Sequence, residues 1–511
     1  MENLYDKVKS MKKIKLLPEQ VLIENNITID SNDEILKILA VNTSVDVENP
    51  IDVLSSECTV TGKTITNIIY ETTNGELNNQ NSISPFSYKL NNENLCNGAK
   101  LNIRANVAST SIDKVMGNTL KLVTTINIES LIIKNEEIEY LKDGGESTYS
   151  KQEEHDITEF SGGYCEKFEE KLEANIKTGV KKVLMTNVEC LLKDWHAGPN
   201  FIAVECELYA KVLYADNQEI SELQTLTISK TIKQEFEVNG INKDIGLDLY
   251  AVIMQEGVVT ELVENGEEIN INVCVPIMVC YNTYCCNKVL SISDIYSERE
   301  VVSVKNDDVE NCVELKPEYL EGKIEGNVTI SDSQPRIDKY LATTNICSSV
   351  SNSYIKDGMV YLEGIVSANV IYLNDELGSL QSVELEIPYV LNKKLECVNV
   401  NILEPFVGLF DVDVMVKRGR EIYFDAKAKA YINLTAIQTF ELISKVESIG
   451  NLPEKDGAIE IYFGKAGESL WDVAKNLNIP SEIIVNQNPE MTDPLEKDQN
   501  IALYYQKNRK I

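Results

Sequence analysis

Three markers recur along this chain in the same order and at nearly fixed distances, and this periodicity limits the fold more than any other feature. The first is a short apolar segment running into Asn or Thr: ILKILAVNTSV from position 35, VKKVLMTNVEC from 180 and IDKYLATTNIC from 337. The second is a strand-like segment ending in an apolar pair and a tyrosine: TNIIYE, AKVLYAD and ANVIYLND. Leu39 to Tyr70 spans 31 residues, Leu184 to Tyr214 spans 30, and Leu341 to Tyr372 spans 31. The third marker is a longer alternating segment: TLKLVTTINIES, EEININVCVPI and REIYFDAKAKAYINL. It follows the tyrosine by 52 residues (Tyr70 to Leu122), 55 (Tyr214 to Ile269) and 50 (Tyr372 to Ile422).

The third marker carries the clearest local signal. Ile269, Ile271, Val273, Val275 and Ile277 fall on one face of an extended chain, and Asn270, Asn272, Cys274 and Pro276 on the other. Ile422, Phe424, Ala426, Ala428, Ile432 and Leu434 oppose Tyr423, Asp425, Lys427 and Lys429 in the same way. Period-two patterning with one wet face indicates half-exposed antiparallel strands. The connections ETTNGELNN, YADNQEIS and YLNDELGS are rich in turn-forming residues. A chain of 511 residues exceeds the roughly 250–300 that one core can serve. The expected fold is therefore multidomain and mainly β: three β-sandwich-like or open-barrel repeats over 15–140, 163–296 and 311–447, with polar joins at 141–162 and 297–310.

Charge narrows the partners. Eighty-one acidic residues against 48 basic ones give a formal net charge of −33, which repels phosphate backbones and anionic lipid. Neither nucleic acid nor direct membrane insertion is expected. The first twenty residues lack the apolar stretch of a secretory leader, and no run approaches the roughly 20 apolar residues of a membrane helix. A cytoplasmic protein is expected, with its twelve cysteines as reduced thiols rather than a disulfide framework.

The character changes near Glu460. The segment EIYFGKAGESLWDVAKNLNIPSEIIVNQNPEMTDPLEKDQNIALYYQ reads strand, helix, helix, strand over 458–506. Leu470, Val473, Ala474 and Leu477 recur at helical spacing, Ser469 is placed to cap that helix, and Ile479-Pro480-Ser481 stops it and caps a second one. Tyr462, Gly467, Ser469, Leu470, Trp471, Val473, Ala474 and the later Asn488 resemble the LysM family, whose small α/β module (βααβ) binds N-acetylglucosamine chains or protein. Departures stand at Gly464, Glu468, Asp498 and the closing Tyr504-Tyr505. They border the family's glycan loops and make glycan binding doubtful.

Three β-rich units followed by one terminal LysM-type module also resemble the SipL-like spore-coat morphogenetic proteins. That resemblance implies a mother-cell protein at the forespore surface, binding the coat basement-layer ATPase SpoIVA through its LysM module, with other coat proteins as further partners. The candidate partner-binding residues are Trp471, Ile459, Gly467, Glu468, Ser469, Leu470 and Asn488. Trp471 reads either as an aromatic at the core edge or as an interface anchor, since Trp is enriched at binding hot spots. The alternative is a peptidoglycan-binding protein of the cell wall.

No constellation supports catalysis. The two histidines, His155 and His196, lie in a charged stretch and in the expected turn Asp194–Pro199, and neither has a nucleophile beside it in sequence. Cys274, Cys280, Cys285 and Cys286 lack the paired spacing of zinc sites, and no phosphate-binding glycine loop occurs. No metal, cofactor or enzymatic activity is expected.

Overall fold

The structure of the chain, a computed structural model, describes residues 4–30, 34–176, 179–216, 223–241, 245–265, 268–374, 378–396, 399–453 and 458–505. The described residues are mainly β, with 79% of them in strands and 4% in helices, divided among many separate sheets with no closed barrel among them.

Three of these sheets are three-stranded antiparallel meanders with the same strand order. The first joins Ile35–Val47, Glu57–Thr72 and Leu77–Asn91, the second Val180–Gly198, Phe201–Asp216 and Leu223–Glu237, and the third Ile337–Lys356, Met359–Asn374 and Leu380–Lys394. Each stacks on a second sheet built around a long strand: Thr119–Asp143, Glu268–Ser297 and Glu421–Asn451. Alternation explains the stacking. Ile271, Val273, Val275 and Ile277 are fully buried on one face of the second long strand, and Ile422, Ala426, Ala428, Ile432 and Leu434 on one face of the third. They face Val360, Leu362, Val366 and Val370 in the third unit, as period-two strands meeting across two sheets must.

The apolar segments of the first marker converge. Leu39 and Ala40, Leu184 and Met185, and Leu341 and Ala342 form one buried cluster with Ile69, Leu213 and Ile371, which immediately precede the marker tyrosines. Around this three-way junction side chains reach from one meander to the next. Asn67 and Asn79 donate to the Leu184 carbonyl, and Asn369 donates to that of Leu39. Lys37 donates to the Leu380 carbonyl, and Lys182 to Asn78 Oδ1.

The stretches 141–162 and 297–310, read as polar joins, are strand except at the short connections 144–147 and 298–299. Thr148–Ile176 pairs along its length with Glu268–Ser297, and Glu300–Thr329 pairs with Glu421–Asn451. Leu4–Lys15 and Glu19–Thr28 together pair with Thr119–Asp143. The distal halves of these pairs form three ribbons packed on one another. In successive layers Met11, Phe160, Tyr284 and Cys312 meet, then Tyr140, Ile157, Val289, Val309 and Leu442, then Leu141, Ile292, Ile295 and Ile443. A few buried side chains, Leu141, Ile157, Phe160 and Val309 among them, anchor these strands, and the exposed charges between them gave the stretches their polar appearance. Leu4 pairs with Asp143, Thr148 with Ser297, and Glu300 with Asn451, so the connections between successive pairs fall within the two stretches, and the paired strands extend beyond 15–140, 163–296 and 311–447.

A buried ion cluster joins strands of all three units. Lys13 Nζ lies 2.6 Å from Asp248 Oδ2, 2.8 Å from Glu314 Oε1 and 3.3 Å from Glu404 Oε1, with its side chain wholly inaccessible. Arg104 pairs with the other oxygen of Glu404 at 3.2 Å. Burial opposes the Lys13 charge, but Asp248, Tyr284, Glu314 and Glu404 outweigh it and hold the ammonium well above its ordinary value. Burial also pushes Glu314 up to about 7 despite Lys13.

One cysteine expectation is corrected. Cys165 and Cys280 sit directly opposite each other across paired strands and are joined in a disulfide. The nine other described cysteines are free, and Cys397 lies outside the described residues. No helix among the described residues is long and apolar enough to cross a membrane.

Candidate functional site in the C-terminal module

The strand Ile459–Gly464, helix α1 (Leu470–Leu477), helix α2 (Ser481–Gln487) and strand Gln499–Tyr504 follow in that order, and the two strands pair antiparallel. Their core is Val473, Ala474, Leu477, Ile479, Ile484, Leu495, Ile501 and Leu503. Of the preceding tether 451–457, residues 454–457 lie outside the described residues.

Local chemistry sets each element. Ser469 caps α1 in a reciprocal box: its hydroxyl accepts from the Asp472 N–H, and the Asp472 carboxylate accepts from the Ser469 N–H. The Ser469 hydroxyl and N–H hold Asp472 below its usual range. Asn478 ends α1 in the left-handed conformation at φ 52°, one of the few residues suited to it. Within Ile479-Pro480-Ser481, Pro480 occupies the cap position of α2 without a side-chain cap hydrogen bond, and Ser481 is the first helical residue. Gly464 is required by space, since a Cβ there would come within 2.5 Å of Leu495 Cδ1 and 3.2 Å of Ile501 Cδ1.

The seven candidate residues separate into three groups. Gly467, Glu468, Ser469, Leu470 and Asn488 support the module itself. Gly467 turns at φ +93° and donates to the Leu495 carbonyl. Glu468 accepts from the Lys465 N–H and the Tyr462 hydroxyl, while Leu470 N–H donates to Asp493 and joins the core margin. Asn488 occupies the outer edge of the last strand, accepting from Ala502 N–H and donating to its carbonyl, both at 3.0 Å. Gln487 does the same for Tyr504. These side chains imitate a neighbouring strand.

Trp471 forms the second group. It sits half-buried between the module and the end of the second ribbon. Its indole Nε1 donates to Asp294 Oδ2 at 2.8 Å, and Lys475 pairs with the other oxygen of that carboxylate at 2.6 Å. The Tyr296 ring meets Trp471 edge-on at 5.1 Å and stacks on Tyr149 at 5.2 Å. The Tyr296 hydroxyl donates to the Ile479 carbonyl at 2.9 Å, and burial pushes Tyr296 up to about 12. Nothing near Trp471 in sequence announces this contact, because its partners lie some 180 residues away.

Ile459 is the third group, and it is exposed. It shares a face with Ile461, Phe463 and, across the pair, Tyr504, which are 53%, 72% and 60% accessible. The sequence reading missed these three. The period-two spacing of Ile459, Ile461 and Phe463 was the available signal, but Tyr462 between them made both faces look apolar.

The loops flanking α1 and preceding the last strand are laced together. Gly467 N–H donates to the Leu495 carbonyl and Leu495 N–H to that of Glu468, while Asp493 and Asp498 accept from Leu470 N–H and Ala466 N–H. Elsewhere His155 stacks on Phe440, and His196 sits in the strand Val180–Gly198 with its edge to Phe201. Among the described residues no group of three His, Cys, Asp or Glu side chains is placed to hold a metal ion. Compared with family models, curated proteins and solved structures, the chain finds no match.

Proposed function

We propose that this chain is a non-enzymatic scaffold or adaptor of spore-coat assembly, made of three copies of one β-rich unit and a C-terminal LysM-type module that binds SpoIVA. On this reading it works in the mother-cell cytoplasm at the forespore surface, where it helps place coat around the forespore. The observation that carries the proposal is the exposed apolar row Ile459, Ile461 and Phe463 on a module at the end of an otherwise interlocked body. Soluble surfaces rarely keep such a row without a partner. The departures at Gly464, Glu468 and Asp498, where the chain differs from the glycan-binding pattern it resembles, favour a protein partner over an N-acetylglucosamine chain.

The test is affinity capture of SpoIVA co-expressed with the full chain, with the chain ending at Gly450, and with Ile459→Asn. Capture by the full chain, with loss in both variants, is the expected result. Undiminished capture by the truncated chain sinks the proposal, and co-sedimentation of the full chain with insoluble peptidoglycan at micromolar concentration favours the cell-wall reading instead.

A further inference from the structure

The module's two strands differ at their outer edges. Tyr505 N–H donates to the Ala458 carbonyl, and Ile459 lies opposite Tyr504. Bonded and non-bonded pairs alternate in an antiparallel ladder, so Glu460, Tyr462 and Gly464 turn their backbone groups toward the partner strand. Ile459, Ile461 and Phe463 turn theirs outward. The last strand obeys the same parity, for its outward residues Ala502 and Tyr504 are the ones bonded by Asn488 and Gln487. The outward N–H and C=O groups of Ile459, Ile461 and Phe463 have no such cover among the described residues.

Proteins guard an open edge with Lys, Pro or a bulge. This edge carries Ile, Ile and Phe, each exposed on the same residue whose backbone groups point outward. A free edge with alternate apolar side chains is the surface that β-strand addition uses. Charge selects the occupant. Residues 458–505 carry eight acidic side chains against three basic ones, a net of −5, within a chain of −33. A second copy would bring like charge to like charge.

We propose that the strand Ile459–Gly464 receives an extended segment of a partner protein as a third strand, with apolar residues at alternate positions and basic residues between them. This deepens the reading of the module as a protein-binding end and rests on it.

The probe is the peptide Lys-Val-Lys-Ile-Lys-Val, blocked at both ends, added to the full chain. Binding is read by fluorescence anisotropy and by residue-resolved amide exchange. Exchange at Ile459, Ile461 and Phe463 slows on binding, and that at Glu460 and Tyr462 is unchanged because their N–H groups are already bonded. A peptide N-methylated at alternate amides, with the same charges and side chains, binds weaker by about tenfold or more. Phe463→Ser weakens binding by a similar factor. Ile461→Pro, which removes an outward N–H that an edge strand can spare, also weakens it while Ile501 and Leu503 stay protected.

No binding overturns the proposal, as do binding with unchanged exchange at the three residues and equal affinity for the N-methylated peptide. Dimerisation of the free chain that Ile461→Pro abolishes, seen by sedimentation, overturns the choice of occupant. SpoIVA takes no part in this test. Failure to capture SpoIVA with normal peptide binding therefore rejects only the earlier reading, and peptide failure with normal capture rejects only this one.

Discussion

Replacing Lys13 by Met tests what joins the three units. Lys13 Nζ faces carboxylates from the second and third units, Asp248, Glu314 and Glu404, all within 3.3 Å and nearly inaccessible. Methionine keeps the length and apolar stem and deletes the charge. Arg104 still compensates one oxygen of Glu404, but Asp248 and Glu314 lose their cation. Removing one partner of a buried pair costs about 3–5 kcal/mol, because the remaining charge stays desolvated. The exposed pair Lys7–Glu137, with side chains 59% and 57% accessible, is the internal control, and Lys7→Met costs about 0–1 kcal/mol. The loss depends on pH with a definite sign. Without Lys13, Glu314, which burial already pushes up to about 7, loses the cation that lowers it, so in the folded chain it titrates further above its unfolded value and the fold binds more protons. Its penalty is absent below the unfolded value and grows as pH rises through the folded one. Urea unfolding followed by circular dichroism therefore gives a larger destabilisation at pH 8 than at pH 5. Equal stability of wild type and Lys13→Met at pH 7, or equal losses for the Lys13 and Lys7 variants, would refute the reasoning.

Glu189, pushed up to about 8 by burial, makes the wild-type fold lose stability as pH rises from about 5 to 8, and Glu189→Gln flattens that slope in a series of thermal melts. Ser469→Ala removes the α1 cap and costs about 1 kcal/mol, read as faster amide exchange across Leu470–Leu477 with the ribbons unaffected. Asp294→Ala removes the acceptor of Trp471 and Lys475. In a Trp195→Phe background it shifts Trp471 emission to the red without loss of far-ultraviolet circular dichroism, and an unshifted spectrum would show that the module is not held at this contact. Trp471→Ala weakens SpoIVA capture with the module still folded if the ring is an interface anchor. If the ring is core, the module unfolds instead, at about 3–5 kcal/mol.

The sequence by itself determined the β class and the location of most strands, because alternation such as Ile271, Val273, Val275 and Ile277 is a local property of a chain with one wet face. The spacing of Leu39, Leu184 and Leu341 ahead of their tyrosines marked equivalent positions without saying that all three enter one cluster. Ser469 and Gly467 were legible too, since caps and turns are written within four residues. Tertiary structure alone decided the rest. The stretches 141–162 and 297–310 look polar because most of their residues are exposed or half-buried, and only their pairing with strands over a hundred residues away reveals Ile157 and Val309 as core. Lys13 reads as one lysine in a basic opening segment until Asp248, Glu314 and Glu404 arrive from three distant strands. The same holds at the module. Asn488 carried a family signature and proved to be an edge-strand surrogate, whereas Ile461 and Phe463 carried none. Exposure is a property of what fails to pack against a residue, and no local pattern records an absent neighbour.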